Sequence, residues 1–354
     1  MRCPDVRGFN YDGSWGTSAL DLWQHHQHGT MAVEIARGKR YFPGWNVARW
    51  WLSHESFQRA PARFLADFDA GLSIFASHDI LVMPLLFNRW RDPVCDFGGV
   101  PLDHIIPGAN FANKVNDLFH YVDNPSREPA LIEDLFRQYL EGVVGTFADD
   151  RRVFAWDLCN EPLMGSYVDD PDSPVRQAEV RWLKWCYDVC KSLGAKQPLT
   201  IGNFPNLTAL RLTAPMSDFL SFHPYYMWND ASNPLSRKPE FEGFVGSCQA
   251  IAEELGKDLL ANETVWGSQD DAEHVEVMRY TLGVLAERGI GFVVHALHHS
   301  LVADLHTAGY GPVGLPGCLH FINPDGSLRA GHEAFNEFAG RAGAEGQQLA
   351  GGRS

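Results

Sequence analysis

Apolar residues along the chain alternate between two patterns. Short, nearly continuous apolar runs occur at VRGFNY (6–11), NVARWWL (46–52), DILVMPLLF (79–87), RVFAWDLC (152–159), PLTIGN (198–203), DFLSFHPY (218–225), DLLANE (258–263) and IGFVVHAL (290–297). Runs of this kind suit parallel strands covered on both faces. Between them the period lengthens. In EPALIEDLFRQYLEGVVGTF, Leu131, Ile132, Leu135, Phe136, Tyr139, Leu140, Val143 and Val144 fall on one helical face. Segments 57–77, 174–193, 241–255, 270–287 and 330–339 read the same way, with weaker helices after the first and fifth strands. Strands alternating with helices in this way predict one (β/α)8 TIM barrel over 1–340. The small, polar tail 341–354 is expected to be disordered. No Gly-rich fingerprint follows a strand, which disfavours a doubly wound nucleotide-binding sheet. Long connections follow the third (88–127), sixth (226–240) and eighth (298–329) strands, all on the side where barrel enzymes build their sites.

Composition narrows the function classes. The 354 residues exceed the roughly 250 a barrel needs. With 44 acidic against 29 basic residues the formal charge is −15, which argues against nucleic acid and anionic membranes as partners. No apolar run approaches the ~20 residues that span a bilayer. The start MRCPDVRGFNYDG lacks the apolar stretch of a signal peptide, so the chain as given is expected in the cytoplasm, and secreted if a leader precedes it. The 7 cysteines are odd in number and scattered, which is no disulfide framework. Cys186 and Cys190 share the apolar face of Leu183, Val189 and Leu193, as buried thiols would.

Two acidic residues stand where the barrel mouth is expected. The fourth strand ends in Asn160-Glu161-Pro162 and the seventh in Asn262-Glu263-Thr264. A lone glutamate is ordinarily a solvated surface group. Two of them, three βα units apart at the ends of apolar strands, are the equipment for glycoside hydrolysis: one protonates the departing oxygen, while the other attacks the anomeric carbon or activates water.

The stretch RVFAWDLCNEP resembles the fourth-strand signature of clan A glycoside hydrolases, family 5 in particular. The resemblance implies that Glu161 is the acid/base, that Asn160 binds the sugar 2-hydroxyl, and that Glu263 in KDLLANETVWG is the nucleophile. Arg49 in NVARWW matches the arginine that keeps that nucleophile ionised. His223 and Tyr225 in SFHPYYMW match the sixth-strand His-x-Tyr pair, so Arg49, His223 and Tyr225 are expected to form a shell around Glu263. The third-strand region LVMPLLFNRWRDPVCDFGGV is similar to the Asn-Asn-Trp…Phe-Gly-Gly passage of β-mannanases, with Phe87 or Asn88 at its first asparagine. What is implied is a retaining enzyme acting on a β-mannoside or related β-linked oligo- or polysaccharide. β-Glucosidase or endoglucanase-type action and transglycosylation use the same residues. Where relatives often carry tryptophan after the eighth strand, this chain reads FVVHALHHS.

The remaining candidates are weaker. Trp15, Trp90, Trp228 and Trp266 lie in expected strand-end loops, where flat rings stack on sugars or simply pack the rim; Trp266 is the candidate for the missing aromatic wall. His298 or His299 is placed to contact substrate, whereas His25, His26 and His28 read as solvated or hydrogen-bonded. Asp157 reads as a barrel-interior carboxylate that needs a partner. The acidic stretch Asp169-Asp170-Pro171-Asp172 reads as a solvated loop, so no metal and no cofactor is expected. Among rival barrels, a Schiff-base aldolase lacks its strand-end lysine, since Lys257 lies at the wrong end of its strand. A metal-dependent amidohydrolase would show His-x-His where the first strand reads Gly-Phe-Asn-Tyr-Asp-Gly. A non-catalytic carbohydrate-binding barrel is the rival from outside the enzymes, and such proteins tend to lose one carboxylate.

Overall fold

The computed structural model describes residues 1–16, 18–90, 129–300 and 318–340. Eight strands, β1 (Arg7–Tyr11), β2 (Val47–Trp51), β3 (Leu81–Asn88), β4 (Trp156–Asn160), β5 (Leu199–Asn203), β6 (Leu220–Phe222), β7 (Leu259–Thr264) and β8 (Gly291–Val294), pair in parallel and in sequence order. The ring closes where β1 pairs with β8, Phe9 lying opposite Val294. The (β/α)8 barrel expected from the alternating pattern is therefore what the chain forms.

Each strand is set by its burial on both faces. In β1, Phe9 and Tyr11 point outward into the aromatic layer under the helices, where Phe9 meets Phe42, Trp45 and Phe335. Gly8 and Asn10 point inward, because side chains alternate along a strand. A Cβ on Gly8 would lie 2.6 Å from the Val47 carbonyl oxygen and 3.0 Å from Val293, so only glycine fits there. The lower interior is apolar, filled by Val47, Met83, Ala155, Leu260 and Val293. Above it lies a layer of opposite character: Asn10, Arg49, Asp157 and Asn262, each without exposure. Polar side chains so deep must bond one another, and their partners form the floor of the mouth.

The helices differ from the pattern in detail. The run 57–77 is two helices, α3 (His54–Arg59) and α4 (Pro61–Ala76), following α1 (Ala19–Gln24) and α2 (His28–Tyr41). The break falls at Ala60, which Pro61 forces out of the helical region, at φ −152°. Beyond lie α5 (Pro129–Leu140), which continues into a π turn over Glu141–Gly145, and α6 (Pro174–Ser192). They are followed by α7 (Leu207–Thr213), α8 (Lys238–Glu254) and α9 (Asp271–Glu287). The last segment is a 3-10 turn, His332–Phe335, leading into the short α10 (Asn336–Ala339). Cys186 and Cys190 are buried in α6 as free thiols, and burial pushes Cys190 up to about 12. Among the described residues no helix is long and apolar enough to cross a membrane. Cys95, the Phe-Gly-Gly passage, most of the connections after β3 and β8, and the tail lie outside the described residues.

Candidate active site

Arg49 organises the mouth from the end of β2. Its guanidinium has no exposure and donates to four acceptors: Nε to Asp157 at 2.8 Å, Nη1 to Glu263 at 2.6 Å and to Asn10 at 3.0 Å, and Nη2 to Asn160 at 2.8 Å. Burial alone would lower its proton affinity, but Asp157 and Glu263 more than offset that, and the group stays charged. Asp157 is the partner-seeking carboxylate that the sequence left open. It holds Arg49 from below, accepts from Asn262 Nδ2 at 2.9 Å and takes the Gly202 N–H at 3.0 Å.

Two irregularities let neighbouring residues share this interior. The β4–β5 register shifts between Asp157 and Asn160, and the β7–β8 register shifts between Ala261 and Thr264. Such bulges re-aim side chains that strict alternation would send outward. They bring Asn160 inward beside Asp157, and Glu263 inward beside Asn262. The chain then leaves both strands through left-handed corners, at Glu161 (φ 47°) and Leu163 (φ 57°) after β4 and at Val265 (φ 72°) after β7. A β-branched residue such as Val265 rarely adopts that conformation, and backbone of this kind gathers at functional sites.

Glu161 and Glu263 face one another across the mouth. Together with His223 they form a group in which one carboxylate oxygen of each glutamate and one ring nitrogen of the histidine lie within 4.8 Å of one another. Glu263 accepts from Arg49 and from Tyr225 Oη at 2.7 Å, with His295 Nδ1 at 3.3 Å. Burial pushes the Glu263 carboxyl up, but His223, His295 and Arg49 outweigh it and hold the group well below the usual carboxylate range. Burial and the Glu263 charge push the Tyr225 phenol well above its ordinary value, so Tyr225 keeps the proton it donates. Glu161 accepts from Trp90 Nε1 on one oxygen and has His223 Nδ1 at 2.7 Å from the other.

His223 helps to keep Glu263 ionised, as the expected shell requires, but its hydrogen bond goes to Glu161. Its distance to Glu263 is 3.9 Å. Asn160 and Asn88 lie together: Asn160 Nδ2 donates to Asn88 Oδ1 at 3.1 Å, and the same oxygen accepts the Trp90 N–H at 3.0 Å. Trp266 packs edge-on against Tyr225 at 5.6 Å between ring centres and donates to Asn229 at 3.0 Å.

The structure does not bring His298 to the glutamates. It turns away to Arg37, 3.2 Å from Nε2, and to the His299 carbonyl, 2.9 Å from Nδ1, with the buried Glu34, which accepts from Tyr11, 4.0 Å away. His295 takes the place near Glu263 instead, beside Trp51, whose ring centre is 6.2 Å away. No contact among the described residues joins Trp228 or Trp15 to either glutamate; Trp15 donates to Leu22. His25 and His28 diverge to Asp21 and Asp67, while His26 stacks on Trp23. Lys257 binds the carbonyls of Ala214 and Ser217, far from the mouth.

Sequence reasoning missed Asn10, Asp12, Trp51 and Asn262. Asn10 receives Arg49 Nη1 and Trp51 Nε1 and donates to the Asn262 carbonyl. The available signal was a pair of polar residues at alternate positions, Asn10 and Asp12, in and just beyond an otherwise apolar strand. Among the described residues, the side chains that converge as a cation site would require are Glu161, His223 and Glu263. Arg49 already supplies the positive charge there.

Two facing carboxylates, one clamped to a buried arginine, at the C-terminal mouth of a closed parallel barrel make this the kind of site on which glycosidases are built. The chain is similar in sequence to the probable mannan endo-1,4-β-mannosidase A of Aspergillus clavatus, with 27% identity over 215 residues. That match covers 53% of this chain and 53% of the relative, so the chain spans about half the length of the curated protein it matches. No family model matches the chain. In fold it is similar to the exo-β-1,4-mannosidase of Opitutaceae bacterium strain TAV5, with a TM-score of 0.68 at 16% identity over 94% of this chain and 58% of that one. An endo-1,4-β-D-mannanase of Thermotoga petrophila gives 0.64 at 14% identity over 94% and 99%. At such identities the structural likeness concerns the barrel alone. The resemblance to clan A, family 5, which the motifs carry, thus has a counterpart in a separate sequence match.

Proposed function

We propose that the chain is a retaining β-glycoside hydrolase that acts by double displacement on a β-mannoside or a related β-linked glycan. The observation that carries this reading is that Glu161 and Glu263 each bring one carboxylate oxygen to within 4.8 Å of the other at the mouth, which suits the closer of two known spacings. Retaining enzymes hold their carboxyl groups about 5–5.5 Å apart, whereas inversion needs ~6.5–9.5 Å to admit a water.

In the first step Glu263, kept ionised by Arg49 and oriented by Tyr225, attacks the anomeric carbon. Glu161 gives its proton to the departing oxygen. In the second step Glu161 takes a proton from water, which displaces Glu263 with a second inversion and so restores the original anomer. Of the two Asn160 Nδ2 hydrogens one goes to Asn88, and the other is available among the described residues to a 2-hydroxyl. Such a bond strengthens as charge develops on the ring. The choice of mannose rests on the motif resemblance and on the name of the curated relative.

The test is hydrolysis of aryl β-mannosides and β-1,4-mannan oligomers beside the corresponding glucosides and cello-oligomers, with the first-formed anomer followed by NMR. Retention and a preference for mannosides are expected. An inverted first product contradicts the mechanism, and a preference for glucosides contradicts the substrate.

A further inference from the structure

Asp12 is a third carboxylate in the mouth, and the double displacement does not use it. It follows β1 two positions after Asn10, so alternation turns it to the same inner side. The register pairs Asn10 with Arg49 and Tyr11 with Trp50, which sets Asp12 level with Trp51 on β2. On its other side, β8 ends at Val294, just before His295. The charged groups that act on Asp12 are His295, Arg49 and Glu263, one each from beyond β8, from β2 and from β7. Its exposure is only 6%, yet among the described residues no hydrogen bond reaches it. Neighbouring backbone closes this side: Ser300 Oγ donates to the Gly13 carbonyl at 3.0 Å.

Neither Asp12 oxygen is among the fully enclosed polar atoms that lack a partner. The little exposure the residue keeps therefore lies at its carboxyl, which opens on the solvent of the mouth and bonds no protein donor among the described residues. Such an arrangement does nothing for stability. It is kept where a ligand supplies the donors. We propose that Asp12 binds the glycone, accepting hydrogen bonds from the C4 and C6 hydroxyls of a neutral sugar whose glycosidic bond is being cleaved. This rests on the glycosidase reading above. In that reading Asn160 and Glu161 hold the C1–C2 edge of the ring from the β4 side. β1 and β8 lie across the barrel from β4 and β5, so the opposite edge, C4 to C6, faces Asp12. The two hydroxyls there are donors that a carboxylate can take together. A sugar acid is disfavoured, since its C6 carboxylate would lie against Asp12 and near Glu263.

The experiment compares wild type, Asp12→Ala and Asp12→Asn on the aryl β-glycoside that wild type cleaves best and on its 4-deoxy and 6-deoxy analogues. Losing a charged partner of a substrate hydroxyl should lower kcat/KM on the parent roughly 10- to 100-fold for Asp12→Ala. The loss should be smaller for Asp12→Asn, which keeps one acceptor oxygen. On at least one deoxy analogue the Ala variant should lose less than threefold, since the bond is already missing there. A general folding defect would depress all substrates alike, so the ratio between parent and analogue is the readout. Equal losses on all three substrates, or none on the parent, overturn the proposal while an active wild type leaves the glycosidase reading intact. A wild type inert on every glycoside removes that reading, and the proposal with it.

Discussion

Arg49 Nη1 lies 2.6 Å from Glu263 Oε2, and no part of the guanidinium meets solvent. A full positive charge at that distance, in a low-dielectric barrel interior, favours the ionised carboxylate strongly. Arg49→Met should therefore raise the proton affinity of Glu263. The ionised fraction would then fall at a higher pH, and the acidic limb of the rate profile should move up by about 1–3 pH units. The pH dependence of kcat/KM on an aryl glycoside measures this directly. An acidic limb that stays in place would show that Arg49 does not control Glu263.

Asp157 is the other half of the arginine clamp. It accepts from Arg49, Asn262 and the Gly202 N–H, all buried. Asp157→Ala leaves three donors without their acceptor and Arg49 with one carboxylate fewer. Breaking a buried pair from one side costs about 3–5 kcal/mol. Urea unfolding should register a loss of that size, and a change under about 1 kcal/mol would contradict the arrangement.

Gly202 on β5 is small because the polar layer passes over it. A Cβ there would lie 2.8 Å from His223 Nε2, 2.9 Å from Asn262 Nδ2 and 3.0 Å from Arg49 Nη2. Gly202→Ala must push His223 and Arg49 aside, and through them both glutamates. The expected result is a fall in kcat of roughly 100-fold, in line with misplacing reacting groups by about 1 Å. Retained secondary structure by circular dichroism would show that the barrel is intact. Unchanged kcat would mean that the layer tolerates displacement.

Asp12 makes an opposite prediction for stability. Burial, with a further contribution from Glu263, outweighs His295 and Arg49 and pushes Asp12 from 3.8 up to about 7. Below the unfolded value the group is neutral in both states and has no effect. Between 3.8 and about 7 the unfolded chain ionises first, so the folded state loses ground on the order of 1.4 kcal/mol per pH unit. Asp12→Asn removes this term. The variant should match wild type near pH 4, gain on it up to pH 7 and hold a constant advantage above. Thermal unfolding across that range tests it, and a variant less stable at pH 8 would show that Asp12 is structural.

The barrel was legible in the sequence because continuous apolar strands such as LVMPLLF are unmistakable when both faces are buried. The local helix break at Ala60 could have been read from Pro61. The sides on which polar residues lie were harder. Alternation correctly put Asp157 inside the barrel, but it says nothing of the register shifts that also turn Asn160 and Glu263 inward. Histidines after β8 all looked alike, since which of His295 and His298 meets the mouth is decided by how the loop folds back on Glu34 and Arg37. His223 was assigned to Glu263 by motif, whereas its ring position relative to Glu161 is a matter of three-dimensional placement. Asp12 carried no motif at all. What singles it out is its place at the mouth, where its carboxyl opens on solvent and bonds no protein donor among the described residues.

The central claim is that Glu263 attacks and Glu161 moves the proton, and one pre-steady-state measurement separates them. An aryl β-glycoside with a strongly acidic phenol needs little protonation, so Glu161→Ala should still complete the first step. Water attack on the glycosyl–enzyme would then be slow, because the same residue activates that water. The account predicts a burst of one phenol per active site in Glu161→Ala, followed by slow turnover that azide accelerates to a retained glycosyl azide. Glu263→Ala should show neither. A burst in Glu263→Ala instead would reverse the two roles, and full activity in both variants would contradict the account altogether.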